Sequence, residues 1–309
     1  RQTTEPVVLL FAGDLILAHR LESAVGDNTE YVFEHWNELQ PFDLFMVNLE
    51  NPITTSSTKV EKEFNFKMHP KYLRTLRSGG ITIVNMANNH VADYGLEGIY
   101  DTMRYLDSVG VQYVGIGKNL SDARTPRIVE VKGKKIGFLG YHGGGSFAAT
   151  KQRAGIAPRF LQYIVEDVQK LKRQVDFLVV NFHWGTELAE YPDESQIALA
   201  HKVVDAGADL IVGHHPHVLQ GIERYRGATI AYSLGNFVFG GNGRHTYDTA
   251  LLRVVLTEKN PAIELVPLSV VQWQPRLASP GGAKNVLSIV QRRSSIFGQS
   301  FLTNVGVAR

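Results

Sequence analysis

The chain has 309 residues, enough for one large domain or two smaller ones, and its 44% hydrophobic and 20% charged residues are ordinary for a globular protein. The formal net charge of +2 is too small to indicate binding to nucleic acid or to a membrane surface. The absence of cysteine excludes disulfides and thiolate metal sites, but it leaves the cellular compartment open.

Six short apolar runs predict buried β-strands, and polar residues of the kind that bind ligands follow each of them. In chain order the runs lie at residues 7–12, 42–47, 81–84, 177–180, 209–212 and 230–232. The polar segments that follow are Gly13-Asp14, Asn48 to Pro52, Asn85 to His90, Asn181 to Gly185, Gly213 to His217 and Ser233 to Asn236. We therefore expect Asp14 to lie in a loop that follows the first strand.

Apolar residues spaced three and four positions apart predict helices between these strands. The helical patterns are Leu96 to Leu106 before Gly110, Leu161 to Leu171, and Ile197 to Val204 before Gly207. A hairpin is predicted over Arg127 to Tyr141, late strands over Leu251 to Leu256 and Ile263 to Leu268, and a largely irregular tail with a short helix from Pro275 onward. This order predicts an α/β fold, in which ligands collect beyond the carboxyl ends of the strands.

The segment Gly213-His214-His215-Pro216-His217 is the most informative in the chain, because three imidazoles follow a predicted strand. Histidine is the commonest metal ligand. Pro216 favours an extended conformation at His215, so His215 and His217 are expected to face one cavity and His214 the opposite side. A surface loop that happens to be rich in histidine is the alternative.

Taken singly, the other polar positions are ambiguous. Asp14 can mark a turn, Glu50 a solvated acid, Asn89 a helix cap and His183 a structural histidine. Their shared position at one edge of the predicted sheet is more specific. Carboxylates, an amide oxygen and neutral imidazoles suit zinc, manganese or iron.

Together these segments resemble the CapA family of capsule or poly-γ-glutamate biosynthesis, a branch of the calcineurin-like metallophosphoesterases. The resemblance rests on Gly13-Asp14 with Arg20, Asn48-Leu49-Glu50-x-Pro52, Asn88-Asn89-His90 with Asp93-Tyr94-Gly95, His183-Trp184-Gly185-x-Glu187, Gly213 to His217, and Ser233-Leu234-Gly235-Asn236-Phe237. It covers about residues 7–240, and the ordered set of motifs is highly specific.

The resemblance implies a four-layer α/β/β/α sandwich of two mixed sheets with a metal site at one edge. We expect a single domain over residues 1–309, with a core at about 7–240 and C-terminal strands and an irregular tail over 241–309. Two motifs depart from the superfamily pattern. Ile16 occupies the position of the histidine in the superfamily's Asp-x-His motif. Val91 occupies the position of an acidic residue in another motif, and Asp93 is the candidate to take the role of that acid.

The resemblance also implies roles for individual residues. The metal ligands are expected to be Asp14, Glu50, Asn89, His183, His215 and His217, holding one or two divalent manganese, zinc or iron ions. His90 is expected to protonate the leaving group, with Asp93 beside it in the catalytic set. Arg20 and Asn236 are expected to contact the substrate, although a solvated arginine and a plain turn are the respective alternatives.

The predicted function is a metal-dependent hydrolase of a phosphoester or γ-glutamyl amide bond in capsule, poly-γ-glutamate or cell-envelope polymer metabolism. One alternative is a non-catalytic capsule-assembly protein that binds a polyanionic polymer or partner subunits, and another is an intracellular phosphoesterase. The expected partners are an anionic polymer or phosphoester substrate and membrane proteins of capsule synthesis, without nucleic acid. The expected location is extracytoplasmic, secreted or anchored through a leader that would precede Arg1.

Overall fold

The computed structural model describes residues 5–39, 41–143, 145–257 and 261–298, and the backbone of 306–307. The first strands are β1 (Val7–Ile16), β2 (Leu44–Leu49), β3 (Ile83–Asn85), β4 (Gln112–Val114), β5 (Ile116–Gly117), β6 (Arg127–Val131), β7 (Lys134–His142) and β8 (Gly155–Ile156). The later strands are β9 (Phe177–His183), β10 (Leu210–His214), β11 (Ile222–Tyr225), β12 (Ala228–Ala231), β13 (Asn236–Phe239), β14 (Thr246–Leu256), β15 (Ala262–Val271), β16 (Gln274–Leu277) and β17 (Gly306–Val307).

The helices fill the connections between the strands. They are α1 (Arg20–Val25), α2 (Leu73–Ser78), α3 (Gly95–Val109), α4 (Leu120–Ala123), α5 (Leu161–Lys172), α6 (Glu194–Ala206) and α7 (Pro280–Ser294). The predicted ends of two helices are confirmed: Gly110 closes α3 in a left-handed conformation with φ 71°, and Gly207 follows α6. At its start α6 has a reciprocal capping box between Asp193 and Gln196, which satisfies backbone donors of the first turn.

The strands form two large mixed sheets. In the first, β1, β2, β3 and β4 run parallel, while β14, β15 and β16 continue the other side in antiparallel pairs. In the second, the order is β11-β12-β10-β9-β7-β6, with β12, β10, β9 and β7 parallel. The predicted hairpin of β6 and β7 is thereby confirmed.

Three apolar layers separate these sheets from each other and from the helices. Phe11 of β1 and Phe138 of β7 belong to the layer between the two sheets. Ile99 of α3 packs on the outer face of the first sheet, and Val168 and Val203 of α5 and α6 pack on the outer face of the second. This is the predicted α/β/β/α sandwich, and it places the carboxyl ends of the parallel strands of both sheets at one edge.

The position of Asp14 differs from the prediction. Asp14 lies inside β1, because β13 pairs in parallel with the second half of this strand and extends it to Ile16. Gly13 makes this pairing possible: a Cβ atom there would lie 1.9 Å from the carbonyl oxygen of Gly235, whose oxygen accepts a hydrogen bond from Asp14 N at 2.8 Å. Asp14 is therefore held by two neighbouring strands rather than by a loop.

The C-terminal part is more regular than predicted. Both late strands are confirmed, with β14 pairing with β1 and β15 with β14, but residues 280–294 form a helix of 15 residues where an irregular tail with a short helix was predicted. Ser279 caps this helix and Pro280 starts it, while Val286 and Val290 fill one end of the layer between the sheets. We therefore propose that these residues and the core form one domain. None of the described helices has the length and apolar character needed to cross a bilayer.

Candidate metal centre

The predicted ligands converge on the edge where the strands of both sheets end. Asp14 lies in β1, Glu50 follows β2, and Asn89 follows β3 in the first sheet. His183 ends β9 in the second sheet, and His215 and His217 lie just beyond β10. The structure thus brings together side chains that are up to 203 positions apart in the chain, from residue 14 to residue 217.

Glu50 lies at the centre of this arrangement. Its carboxylate belongs to two sets of ligand atoms, Glu50-His215-His217 and Asp14-Glu50-His183, and the atoms of each set lie within 4.8 Å of one another. Glu50 is fully buried, yet neither of its carboxylate oxygens has a hydrogen-bond partner among the described residues. A buried, unpartnered carboxylate is costly unless a cation accompanies it, so these residues fit a divalent metal ion.

The geometry also fits two ions that share one carboxylate. Paired metal ions in hydrolases lie about 3.5–4 Å apart and are commonly bridged by a ligand. Glu50 is the common member of both sets, whereas Asp14 and His183 occur in one and His215 and His217 in the other. Glu50 is therefore the candidate bridge.

Asp14 is fixed in place by neighbouring hydrogen bonds. Asn48 Nδ2 donates to Asp14 Oδ1 at 2.8 Å, and the backbone N–H of His215 donates to Oδ2 at 3.3 Å. Burial alone would raise the pKa of Asp14, but the hydrogen bond and charge of His217 lower it below its ordinary value. The carboxylate is therefore held ionised, as a metal ligand must be.

His217 is oriented by two oxygens. Its Nδ1 lies 3.0 Å from Asp14 Oδ2 and 2.9 Å from Asn236 Oδ1, while its Nε2 lies 3.9 Å from Glu50 Oε1. Burial alone would lower the pKa of His217, but Glu50 and Asp14 raise it to about 10. Without a metal, a proton on this imidazole supplies positive charge to the two carboxylates.

His183 and Asn89 form the other side of the centre. Asn89 Oδ1 lies 2.8 Å from His183 Nε2, and Glu50 Oε1 lies 3.4 Å from the same nitrogen. Two ligands of one ion at about 2.1 Å are themselves about 3 Å apart, so these separations suit a shared ion. Burial, together with the neighbouring histidines, lowers the pKa of His183 well below its ordinary value, which keeps the imidazole neutral.

The backbone of the histidine cluster is not extended, contrary to the sequence prediction. His215 and His217 adopt φ values of 98° and 59°, so the chain turns sharply at both residues. His214 was expected to face the opposite side, but it is buried with Nδ1 3.7 Å from Asp14 Oδ1. A preference for extended geometry before proline is local, and here the contacts of the cluster with Asp14 and Glu50 override it.

His90 and Asp93 form a hydrogen-bonded pair beside the candidate ligands. His90 Nδ1 lies 2.7 Å from Asp93 Oδ2, and this oxygen also accepts a 2.7 Å hydrogen bond from the backbone N–H of Phe66. The ammonium group of Lys62 lies 2.8 Å from Asp93 Oδ1, 3.1 Å from His90 Nδ1 and 2.8 Å from the carbonyl oxygen of Asn89. Burial lowers the pKa of His90, and Asp93 opposes that effect.

The two residues predicted to contact substrate occupy different environments. Asn236 starts β13 and its side-chain oxygen contacts His217 Nδ1, so it supports a candidate ligand directly. Arg20 is exposed at the first residue of α1, and its guanidinium lies against Gly243. Glu187 is exposed, and its charge still acts on Glu50, His215 and His217.

Sequence reasoning missed Asn48, Lys62 and His142. His142 ends β7 and stands beside His183 in the strand register, and its Nδ1 donates to the carbonyl oxygen of His183 at 3.0 Å. The signal was present, because an apolar run ending in Tyr141-His142-Gly143 matches the pattern of the other site strands. Lys62 had no such signal, since it lies in a loop of 13 residues between Thr54 and Phe66 without regular structure.

We expect the metal-free protein to lose stability in acid because of its buried neutral histidines. Burial lowers the pKa of His142 to about 4 and that of His214 to about 4. Below pH 6.5 these histidines therefore bind protons in the unfolded chain but not in the folded protein. The free energy of unfolding has its full value above pH 6.5 and decreases as the pH falls towards 4. For His142 the change from 6.5 to about 4 corresponds to on the order of 3 kcal/mol.

Urea unfolding of EDTA-treated protein between pH 7 and about pH 4.5 tests this expectation. The substitution His142→Asn should make the decrease in the free energy of unfolding over this pH range smaller by about 2 kcal/mol. The exposed residue His35 provides the control, because His35→Asn should leave the pH dependence unchanged. Equal pH dependence in wild type and His142→Asn would contradict the assignment.

Most of this chain is similar in sequence to known bacterial proteins. A family model described as bacterial capsule synthesis protein PGA_cap matches residues 8–241. The chain is 33% identical over 294 residues to a capsule biosynthesis protein CapA from Bacillus anthracis, covering 91% of this chain and 72% of the relative. It is 34% identical over 273 residues to a PGA biosynthesis protein CapA from Bacillus subtilis, covering 86% and 72% respectively.

A solved structure shares the fold. A putative 5'-nucleotidase from Staphylococcus aureus, crystallised with α-ketoglutarate, superposes with TM-score 0.54 at 15% identity, over 86% of this chain and 55% of that one. At this identity the likeness concerns the fold alone. The matched family model and the two relatives identify the chain as a member of the CapA family of bacterial capsule synthesis proteins.

Proposed function

We propose that this protein is a metal-dependent hydrolase of a phosphoester or γ-glutamyl amide bond in capsule, poly-γ-glutamate or cell-envelope polymer metabolism. The observation that carries this proposal is the buried carboxylate of Glu50, which has no hydrogen-bond partner among the described residues and belongs to both candidate ligand sets. A buried carboxylate that only His217 accompanies as a cation, at 3.9 Å, would destabilise the folded protein, and a bound divalent ion would remove this cost.

The proposed ligands of one or two divalent ions are Asp14, Glu50, Asn89, His183, His215 and His217. Oxygen and imidazole donors of this kind suit manganese, zinc or iron. When bound, such ions supply Lewis acidity to the substrate and make water a stronger nucleophile at neutral pH. Asn48 and Asn236 would hold Asp14 and His217 in the orientation that binding requires.

His90 is proposed to donate a proton to the leaving group. Asp93 accepts a hydrogen bond from His90 Nδ1, which fixes the ring, so the proton that the leaving group receives is one that Nε2 has first taken up from water. Lys62 and the backbone of Phe66 hold Asp93 in turn. Arg20 and Asn236 are proposed to contact the substrate at the rim of the centre, Arg20 through its exposed guanidinium.

We further propose that the protein acts outside the cytoplasm, as a secreted or membrane-anchored protein. The names of its relatives concern the synthesis of capsule and poly-γ-glutamate. An anionic polymer or a phosphoester would be the substrate, and membrane proteins of capsule synthesis would be partners. Nucleic acid is not expected, because the net charge is only +2.

A non-catalytic role in capsule assembly is the second candidate, and Ile16 favours it. This residue takes the place of a histidine in the superfamily pattern, and it is fully buried in β1 opposite Phe239. It cannot bind a metal, so one ion would have fewer ligands. In this role the centre would bind a polyanionic polymer or partner subunits without hydrolysing them.

Metal analysis followed by hydrolysis assays separates the two roles. After incubation with Mn²⁺ and desalting, the protein should retain about one to two ions per chain by mass spectrometry of the elements. It should then release p-nitrophenol from p-nitrophenyl phosphate or shorten poly-γ-glutamate. Retained metal without either activity would favour the assembly role. Failure to retain any manganese, zinc or iron would contradict both the hydrolase and its metal centre.

A further inference from the structure

Three cationic side chains, those of Lys62, Arg20 and Arg159, differ in the hydrogen-bond and ion-pair partners that they contact. Lys62 donates to the carbonyl oxygen of Asn89 and to the carboxylate of Asp93, and Arg20 is exposed beside Gly243. Arg159 differs from both, because it is half-buried and no carboxylate lies within 4 Å of its guanidinium among the described residues. A cation that is partly removed from water and has no counter-ion is a candidate binding group for an anion, since desolvation disfavours its charge.

The backbone places Arg159 against the strands that carry His142 and His183. Its N–H donates to the carbonyl oxygen of His142 at 2.9 Å, and Pro158 forms an isolated bridge with the same residue. One guanidinium nitrogen, Nη1, reaches the carbonyl oxygen of His183 at a long 3.5 Å. Arg159 therefore contacts the backbone of His183, which is one of the candidate metal ligands.

Most of the donors on this guanidinium are unused. Arginine has five N–H donors, and the 3.5 Å contact to His183 is the hydrogen bond that the side chain makes within the described part of the chain. Asp193 is a carboxylate whose charge acts on Arg159, but it is not within ion-pair distance. Burial correspondingly lowers the pKa of Arg159.

We propose that Arg159 binds an oxyanion of the substrate on the His183 side of the metal centre. This inference rests on the proposed function and extends it. A planar guanidinium with free donors matches two oxygens of one group, which can be a phosphoryl group or the carboxylate of a glutamyl residue next to the cleaved bond. His142 lies on the same side of the centre. Its Nδ1–H donates to the carbonyl oxygen of His183, which leaves Nε2 as an acceptor.

The proposal predicts a loss of anion affinity that is separate from metal binding. Manganese-loaded protein is titrated by calorimetry with orthophosphate and with the dipeptide γ-glutamyl-glutamate, at fixed ionic strength. Arg159→Gln should bind at least one of them about 10-fold to 100-fold more weakly, because a charge-assisted hydrogen bond is lost. Arg159→Lys should retain part of the affinity, since the charge remains but the paired geometry does not.

The two probes distinguish the source of the oxyanion. A loss confined to orthophosphate assigns Arg159 to a phosphoryl group, and a loss confined to the dipeptide assigns it to a carboxylate. Arg173→Gln is the matched control, because it removes the same charge from an exposed position at the end of α5 and should change neither affinity. Thermal unfolding of each variant checks that the fold is retained.

The results of these measurements distinguish a failure of this inference from a failure of the proposed function. If wild type retains no metal, the proposed function fails, and the inference that rests on it fails with it. If metal is retained but Arg159→Gln binds both probes as tightly as wild type, Arg159 does not bind an oxyanion and the inference is overturned. The same holds if the metal-loaded wild type binds neither probe at millimolar concentration.

Discussion

Replacing Glu50 by glutamine should nearly abolish hydrolysis while leaving the fold intact. The side chain keeps its shape but loses the negative charge that both candidate ligand sets share. Loss of several kcal/mol of charge stabilisation corresponds to a fall of about a thousandfold in kcat/KM. The number of retained metal ions should fall in parallel, and mass spectrometry of the elements measures it on the same samples.

When metal is absent, the same substitution should leave the thermal stability of the protein unchanged or raise it. Burial and the charge of Asp14 raise the pKa of Glu50 well above its ordinary value, so the ionised form destabilises the folded, metal-free protein at neutral pH. In EDTA, Glu50→Gln should therefore unfold at the same temperature as wild type or a few degrees higher. With Mn²⁺ the order should reverse, because only wild type gains stability from binding.

Glu187→Gln is the control for this experiment. Glu187 is an exposed carboxylate whose charge acts on the centre, but it belongs to neither ligand set. Its removal should change activity only a few-fold and leave the metal content unchanged. Equal losses in both variants would mean that general electrostatics, not coordination by Glu50, explains the result.

Replacing His90 by asparagine should lower kcat without loss of metal. General acid catalysis contributes about 100-fold to 10,000-fold, and a side chain that cannot donate a proton at neutral pH forfeits that contribution. His90 contacts Asp93, Lys62 and the ring of Phe66 rather than the candidate ligands. Metal retention should therefore match wild type, unlike in Glu50→Gln.

The dependence on the leaving group makes this prediction specific. p-Nitrophenolate leaves without a proton, so His90→Asn should lose little activity on p-nitrophenyl phosphate and much more on an alkyl phosphate or an amide. His19→Asn serves as control, because the His19 ring also packs on Phe66 but its side chain bonds to the carbonyl oxygen of Asn65 rather than to Asp93. An equal loss on all substrates would instead assign His90 a structural role.

The sequence was sufficient to predict an α/β fold because its signals are local and repeated, whereas the four-layer sandwich was an implication of the family resemblance. Apolar runs such as residues 177–180 end in polar residues at the expected places, and glycines such as Gly110 close the helices. The order of α and β elements then restricts the topology. The length of β1 was not predictable, since its second half is a strand because it pairs with β2 and with β13, which lies more than 200 positions later.

The site was predictable as a set of residues but not as a geometry. The motifs around Asp14, Glu50 and His183 were recognisable, and the structure brings these side chains together. Whether each of them binds metal remains a prediction. The left-handed conformations of His215 and His217 follow from contacts with distant residues, so no local rule indicates them. Lys62 and Arg159 were missed because a single cation in a loop has no sequence pattern.

An anomalous diffraction experiment on crystals grown with Mn²⁺ is the most direct measurement of whether Glu50 organises a metal centre. Data collected on both sides of the manganese edge should show one or two peaks within about 2.3 Å of the Glu50 carboxylate, with His217 or His183 completing the coordination. The absence of a peak at Glu50 in crystals that bind manganese elsewhere would contradict the account.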